Sequence, residues 1–454
     1  RFFQHTLNYI KRWEVDGYHQ KKKKHQKNKS NTMKNWLSLL LIFSSISGTA
    51  QFEKYFEDKT MRLDYTHGGN SNTEMFFFEE ILEEPFWGGS KTNLVDTFEY
   101  GNYYVKVFNK SNDSLLYSRG YSTLFAEWQT TDEANKISRA FSETVVFPFP
   151  KKPVVVKIYS RNYDEIFVES FIHEVDPNDY FIKKDRRLVY PSFMAYKSGD
   201  PSKKVDIVIL PEGYSKDEMG QFIDDCREFT SGLFNYYPYS VNENNFNIYG
   251  ILAPSSDSGN DIPANNIWNK TLLNTSFYTF DSERYCMTLD NKSVRDLAAN
   301  VPYDQIYILV NTKKYGGGAI YNYYSVSVNS NEKAAQIFIH ELGHGFAGLG
   351  DEYYTSSTSY IDFYNLNAEP WEPNLTTLVD FESKWKDMVK KRTPIPTPDT
   401  EKYKDKVGVF EGGGYVAKGV YRPMHDCLMN SFRVNEFCPV CNRGIQQMIN
   451  FYCE

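Results

Sequence analysis

No stretch of the 454 residues holds the roughly 18 consecutive apolar positions that a membrane-spanning helix needs, so no membrane insertion is expected. Positive charge is also short. The chain carries 51 Lys+Arg against 58 Asp+Glu, a formal net charge of −7. Without a basic excess it lacks the means to displace counterions from phosphates, and no nucleic acid is expected as partner. Cysteine is absent from the first 225 residues, and histidine numbers only eight. What is plentiful is apolar surface, 41% hydrophobic and 17% aromatic, which excludes wholesale disorder and at this length suggests two or three domains.

The first 50 residues differ in kind from the rest. They hold ten basic and two acidic residues, among them the run Lys21–Lys24, and leave 41 basic and 56 acidic over residues 51–454, a net of −15. From Met33 the chain reads one Lys, an apolar core from Trp36 to Ile46, then Gly48-Thr49-Ala50. That layout is the three-part pattern of a secretory signal peptide, with cleavage expected after Ala50. Residues 1–32 are then expected to be an upstream, non-native or untranslated leader, and 33–50 the signal peptide of an exported protein found outside the cell, in the periplasm or on the cell surface.

Residues 51–190 alternate with period two. Tyr103–Phe108 and Leu115–Tyr117 flank a polar turn and predict a hairpin. Thr144–Phe147 and Val154–Tyr159 predict a second. Short strands without a convincing helix point to a β-sandwich domain. Around Ser192–Lys204 the composition turns to Gly, Pro, Ser and Lys, which marks the expected boundary. Val205–Leu210 is then apolar but for Asp206, as a strand covered on both faces would be. Phe222, Cys226, Phe229 and Leu233 keep helical spacing, and Phe246–Leu252, Gln305–Val310 and Ala319–Val328 predict further strands. Such alternation predicts an α/β domain over residues 200–454.

The sharpest chemical signal lies on the predicted helix Lys333–Leu349. His340 and His344 are four apart and leave one face of a helix about one turn from each other, with Glu341 between them. H-E-x-x-H lets two imidazoles take two corners of a Zn²⁺ tetrahedron, with the carboxylate as general base. A third ligand is needed, and Gly348 and Gly350 allow the chain to turn sharply after the helix. Asp351 is favoured, with Glu352 and His425 as alternatives.

His340-Glu341-Leu342-Gly343-His344 followed by Leu349-Gly350-Asp351-Glu352-Tyr353 resembles the secreted bacterial metallopeptidases of the IgA-peptidase family, which belong with the metzincins. Val205–Tyr214, Ser255–Gly259, Val310-Asn311, Tyr315–Gly318, Cys427-Leu428-Met429 and Cys438–Cys441 extend the resemblance over residues 200–454. Two departures stand out from the metzincin string H-E-x-x-H-x-x-G-x-x-H. Ala347 occupies the glycine position, and Gly350 occupies the third-ligand position with the acid one place later. The resemblance implies an α/β metzincin-like catalytic domain behind the β-sandwich, one catalytic Zn²⁺ on His340, His344 and Asp351, and Glu341 as catalytic base. It also implies Met429 beneath the metal, and Tyr315, Gly316 and Gly317 on a strand that pairs with extended substrate.

The expected activity is that of a zinc endopeptidase acting on protein or peptide, with immunoglobulin as one possible substrate. The alternatives are a catalytically vestigial protein- or glycan-binding module and a zinc hydrolase of a non-protein amide. Tyr353, Tyr354, Tyr421 and Arg422 are candidates to stabilise an oxyanion. Four of the six cysteines, Cys427, Cys438, Cys441 and Cys453, fall in the last 28 residues. In an exported chain they are expected to form disulfides rather than a zinc knuckle.

Overall fold

The computed structural model describes residues 51–354 and 363–454. The expected leader and signal peptide lie outside the described residues. Two antiparallel sheets open the fold. β1 (Phe56–Asn70) runs between β2 (Thr73–Glu84) and the later strand Arg139–Pro150. Opposite them, β3 (Tyr103–Asn109) runs between β4 (Leu115–Tyr121) and Val154–Arg161, which in turn pairs with Phe167–Val175. In chain order the last three strands are β5, β6 and β7. Met61, Leu63 and Tyr65 alternate along β1 and meet Val105, Val107, Val156 and Ile158 in one buried cluster, as facing sheets require.

The hairpin predicted at Tyr103–Tyr117 is present as β3 and β4. The second predicted hairpin is not. β5 pairs with β1 and β6 with β3, so the Pro148–Pro153 segment crosses from one sheet to the other. A short helix that the sequence pattern did not suggest, α1 (Leu124–Gln129), follows β4, and Thr123 caps it by accepting from the Ala126 N–H.

The second half is a six-stranded sheet. Its strands are β8 (Ser192–Tyr196), β9 (Val205–Glu212), β10 (Phe246–Ile251), β11 (Gln305–Val310), β12 (Gly317–Ile320) and β13 (Tyr324–Val328), in the order β12-β13-β11-β9-β10-β8. The inner strands are parallel and the two edges antiparallel. All eight residues of β9 are buried, Asp206 and Glu212 included, as expected of a strand covered on both faces. β8 falls in the stretch read as a boundary, and the predicted strand Ala319–Val328 is instead a hairpin, broken where Asn322 takes a positive φ of 51°.

Helices α2 (Met219–Leu233), α4 (Ala334–Ala347) and α5 (Pro439–Cys453) pack with Ile207 and Ile209 on one face. The alternate residues Val208 and Leu210 meet α3 (Asn291–Ala298) and Phe125 and Trp128 of α1 on the other. A hairpin of β14 (Phe410–Gly413) and β15 (Val416–Arg422) lies between α4 and α5 in sequence. Among the described residues no helix is long and apolar enough to cross a membrane.

Arg62 joins the two halves. Buried in β1, it forks onto Asp64 through Nε at 2.8 Å and Nη2 at 2.7 Å, and its Nη1 reaches Asp296 of α3 at 2.6 Å. Removing one member of a buried, hydrogen-bonded ion group leaves the others uncompensated, at a cost of about 3–5 kcal/mol. Arg62→Ala is therefore expected to lower unfolding free energy by about that amount in denaturant titrations, and a change below 1 kcal/mol would contradict this account.

Candidate metal centre

α4 carries Ala, Ile, Leu and Phe along its buried side and ends at Gly348, whose left-handed φ of 64° suits glycine. His340 and His344 leave it one turn apart, with Nε2 atoms 3.1 Å from each other and ring planes at 87°. Both Nδ1 atoms are occupied by backbone carbonyls, His340 by Leu428 at 3.0 Å and His344 by Leu349. A ring that donates through Nδ1 presents an Nε2 lone pair. Both Nε2 atoms face Asp351 Oδ1, at 3.2 Å and 3.3 Å.

Asp351 reaches that point because the chain turns in two steps. Gly348 breaks the helix, and Asn374 then grips Gly350, accepting its N–H at 2.7 Å and donating to its C=O at 2.8 Å. Counted from His340, both departures from the metzincin string are one displacement. The helix-ending glycine and the acid each arrive one residue late, so the turn between them keeps its length. Of the alternatives, Glu352 turns away towards Cys441 at 3.1 Å, and His425 lies against Asp399 at 3.1 Å.

The residues fit a cation. Asp351 Oδ1 is buried and receives no hydrogen bond, although two imidazole nitrogens face it. Burial pushes the Asp351 carboxyl up, but the two histidines outweigh it and hold it well below the usual carboxylate range. Burial likewise opposes a charge on His344, yet Asp351 draws its pKa up to about 9. The field at the centre favours positive charge, and two imidazole nitrogens with a carboxylate oxygen form a donor set typical of catalytic zinc.

Glu341 stands beside the centre, half-buried, with burial raising its pKa and the two histidines opposing the rise. Its Oε1 borders β12, 3.3 Å from where a Cβ on Gly317 would sit. Met429 is fully buried, and its sulfur lies 3.0 Å from the equivalent point on Gly343, under the turn that separates the two histidines. The Tyr315–Gly317 expectation needs correction in part. The outward N–H and C=O of Gly317 are taken by Arg284 at 3.1 Å and Cys286 at 3.2 Å, so this end of the edge is already paired. Arg422 is committed to the carbonyls of Glu411 and Gly412. The Asp257 and Asp261 carboxylates accept backbone N–H groups within their own loop.

Three residues of this neighbourhood carry no sequence signal. Tyr415 sits with Gly414 in the two-residue turn of the β14-β15 hairpin, both at positive φ, the arrangement that matches strand twist. From there its hydroxyl donates to Asp351 Oδ2. Glu127, on α1, accepts from the Tyr285 hydroxyl, and burial pushes its carboxyl up to about 7, with Glu341 and Asp351 adding to the rise. α1 is itself held by His67, whose ring lies between Phe76 and Phe125 at centroid distances of 4.1 Å and 3.9 Å.

The cysteines depart from expectation. All six are free thiols. Cys427, Cys438 and Cys441 instead converge with Glu352 in a second buried group.

A centre of this kind is what a metallopeptidase would use, and comparison with known families points to that class. A family model described as IgA Peptidase M64 matches residues 194–404 and 399–449, and one described as Peptidase M64 N-terminus matches residues 51–172. The chain belongs to the IgA peptidase M64 family. A search of curated proteins finds no match.

The His67 sandwich yields a pH test. Its two ring nitrogens meet Glu143 at 2.7 Å and Glu74 at 2.8 Å; burial opposes the charge, but the carboxylates outweigh it and raise the pKa. A raised folded pKa stabilises the fold fully below the unfolded value of about 6.5 and loses that contribution as pH climbs through the folded value. The melting temperature should fall across that window, and His67→Gln should flatten the fall. Equal slopes in both proteins would show that His67 is not charged in the fold.

Proposed function

We propose that this chain is an exported zinc endopeptidase with a metzincin-like catalytic domain over residues 200–454 and a β-sandwich domain over residues 51–190. The convergence of His340, His344 and the unpartnered Asp351 oxygen, with Glu341 alongside, carries the reading. When bound there, a zinc ion supplies Lewis acidity, which polarises a carbonyl oxygen and makes water acidic enough to lose a proton near neutral pH.

The protein's own residues do the rest. Leu428 and Leu349 hold the two imidazoles in the tautomer that leaves Nε2 free. Tyr415 holds the far oxygen of Asp351. Glu341 Oε1 takes the proton of the attacking water and returns it to the leaving amine nitrogen. β12 offers an edge for extended substrate. Gly317 is used internally, and Ala319, two residues on, presents its N–H and C=O in the same outward direction. Substrates are protein or peptide, with immunoglobulin among those to be tried.

Glu341→Gln should lower kcat by about 10²–10⁴-fold on unfolded protein substrates while metal content stays at the parental level. His344→Ala should lose both metal and activity. A Glu341→Gln protein that cleaves as fast as the parent would overturn the mechanism. Export is checked by sequencing the N-terminus of the secreted form, which should begin at Gln51.

A further inference from the structure

We propose that Glu352, Cys427, Cys438 and Cys441 bind a second metal ion of the zinc class, which is structural and braces the first centre. One ligand atom from each of the four lies within 4.8 Å of the others, and all four residues are buried. In a tetrahedral site with Zn–S near about 2.3 Å, neighbouring sulfurs stand about 3.8 Å apart. Cys427 and Cys441 Sγ are 3.8 Å apart, and Glu352 Oε1 is 3.1 Å from Cys441 Sγ and 4.0 Å from Cys438 Sγ. A disulfide needs about 2.05 Å.

A second, independent observation is the carboxylate itself. Glu352 is fully buried, its Oε1 accepts from Asn374 at 3.0 Å, and its Oε2 has no partner at all. An unpaired buried carboxylate is costly unless a cation faces it. Backbone N–H groups already point at the sulfurs, Cys438 N to Cys427 Sγ at 3.2 Å and Cys441 N to Cys438 Sγ at 3.4 Å. Cys438 caps α5, where the first-turn dipole favours thiolate over thiol. Binding releases the thiol protons to solvent, and no oxidant is required.

The ion would fasten three segments that serve the catalytic centre. Glu352 follows Asp351, and the two side chains diverge, Asp351 to the histidines and Glu352 to Cys441. Cys427 precedes Leu428, whose carbonyl orients His340, and Met429, whose carbonyl accepts the Glu352 N–H at 2.8 Å. Cys438 and Cys441 anchor both to α5. Clamping Glu352 to Cys427 therefore fixes Asp351 relative to His340, as an outer partner of a metal site does.

The full chain with His340→Ala and His344→Ala together separates the two centres. Elemental analysis should give two zinc ions per parent chain and one in this double variant. With Co²⁺ in place of zinc, the double variant should keep the near-ultraviolet thiolate-to-cobalt charge-transfer band, and a further Cys438→Ser change should abolish it. Denatured, chelated protein should titrate six thiols. A double variant that binds no metal and shows no thiolate band would overturn the proposal, as would an intact mass showing Cys427 and Cys441 oxidised to a disulfide. These readouts do not depend on peptidase activity. A parent chain that holds the thiolate-bound ion but cleaves nothing would sink the proposed function and leave this one standing.

Discussion

Two imidazole protons govern the geometry around the centre. His340 gives its Nδ1 proton to Leu428 and His344 gives its own to Leu349, and that pairing turns both Nε2 atoms to one carboxylate oxygen. The two acceptors belong to segments far apart in sequence, one at the end of the helix itself and one 88 residues beyond His340. Each must be held in place for the rings to stay aimed. Much of the second half can be read as the means of holding them: the glycine stop at 348, the Asn374 grip on Gly350, and the burial of Met429 under the helix.

The parts of this arrangement that obey a short-range period were legible beforehand. His340 and His344 share a helix face because the helix repeats every 3.6 residues, and Val205–Leu210 is a central strand because, Asp206 apart, its side chains are all aliphatic. Choosing between Asp351 and Glu352 was different. The two adjacent side chains go to different surroundings, so the choice depends on what lies in each. One side held the histidines and the other held three sulfurs, contributed by residues 427–441. The cysteines misled for a related reason. Their number and the expected export argue for disulfides, and the arrival of a carboxylate among them is what the sequence does not reveal.

Strand partnership was the other illegible layer. Thr144–Phe147 and Val154–Tyr159 look like two arms of a hairpin, yet prolines between them carry the chain from one sheet to the next. Tyr415 and Glu127 were invisible because neither lies near a motif. One is delivered by a two-residue turn, the other by a six-residue helix in the β-rich half. That helix is seated on a histidine flanked by two carboxylates and two phenylalanines, so the N-terminal half contributes a wall of the centre as well as strands.

The divergence of Asp351 and Glu352 carries a consequence for how such a chain can change. Because adjacent side chains serve different surroundings, a one-residue insertion between Gly348 and Asp351 would carry Asp351 to the place of Glu352, and a deletion there would carry Glu352 to the place of Asp351. In either case one acid would face the partners suited to the other. Substitutions nearby can be absorbed by small shifts, but a change of length cannot, since the shortest slip available to a polypeptide is one whole residue. In this sequence Gly348 and Asp351 both stand one place later than the glycine and third ligand of the metzincin string, and the interval between them is the same.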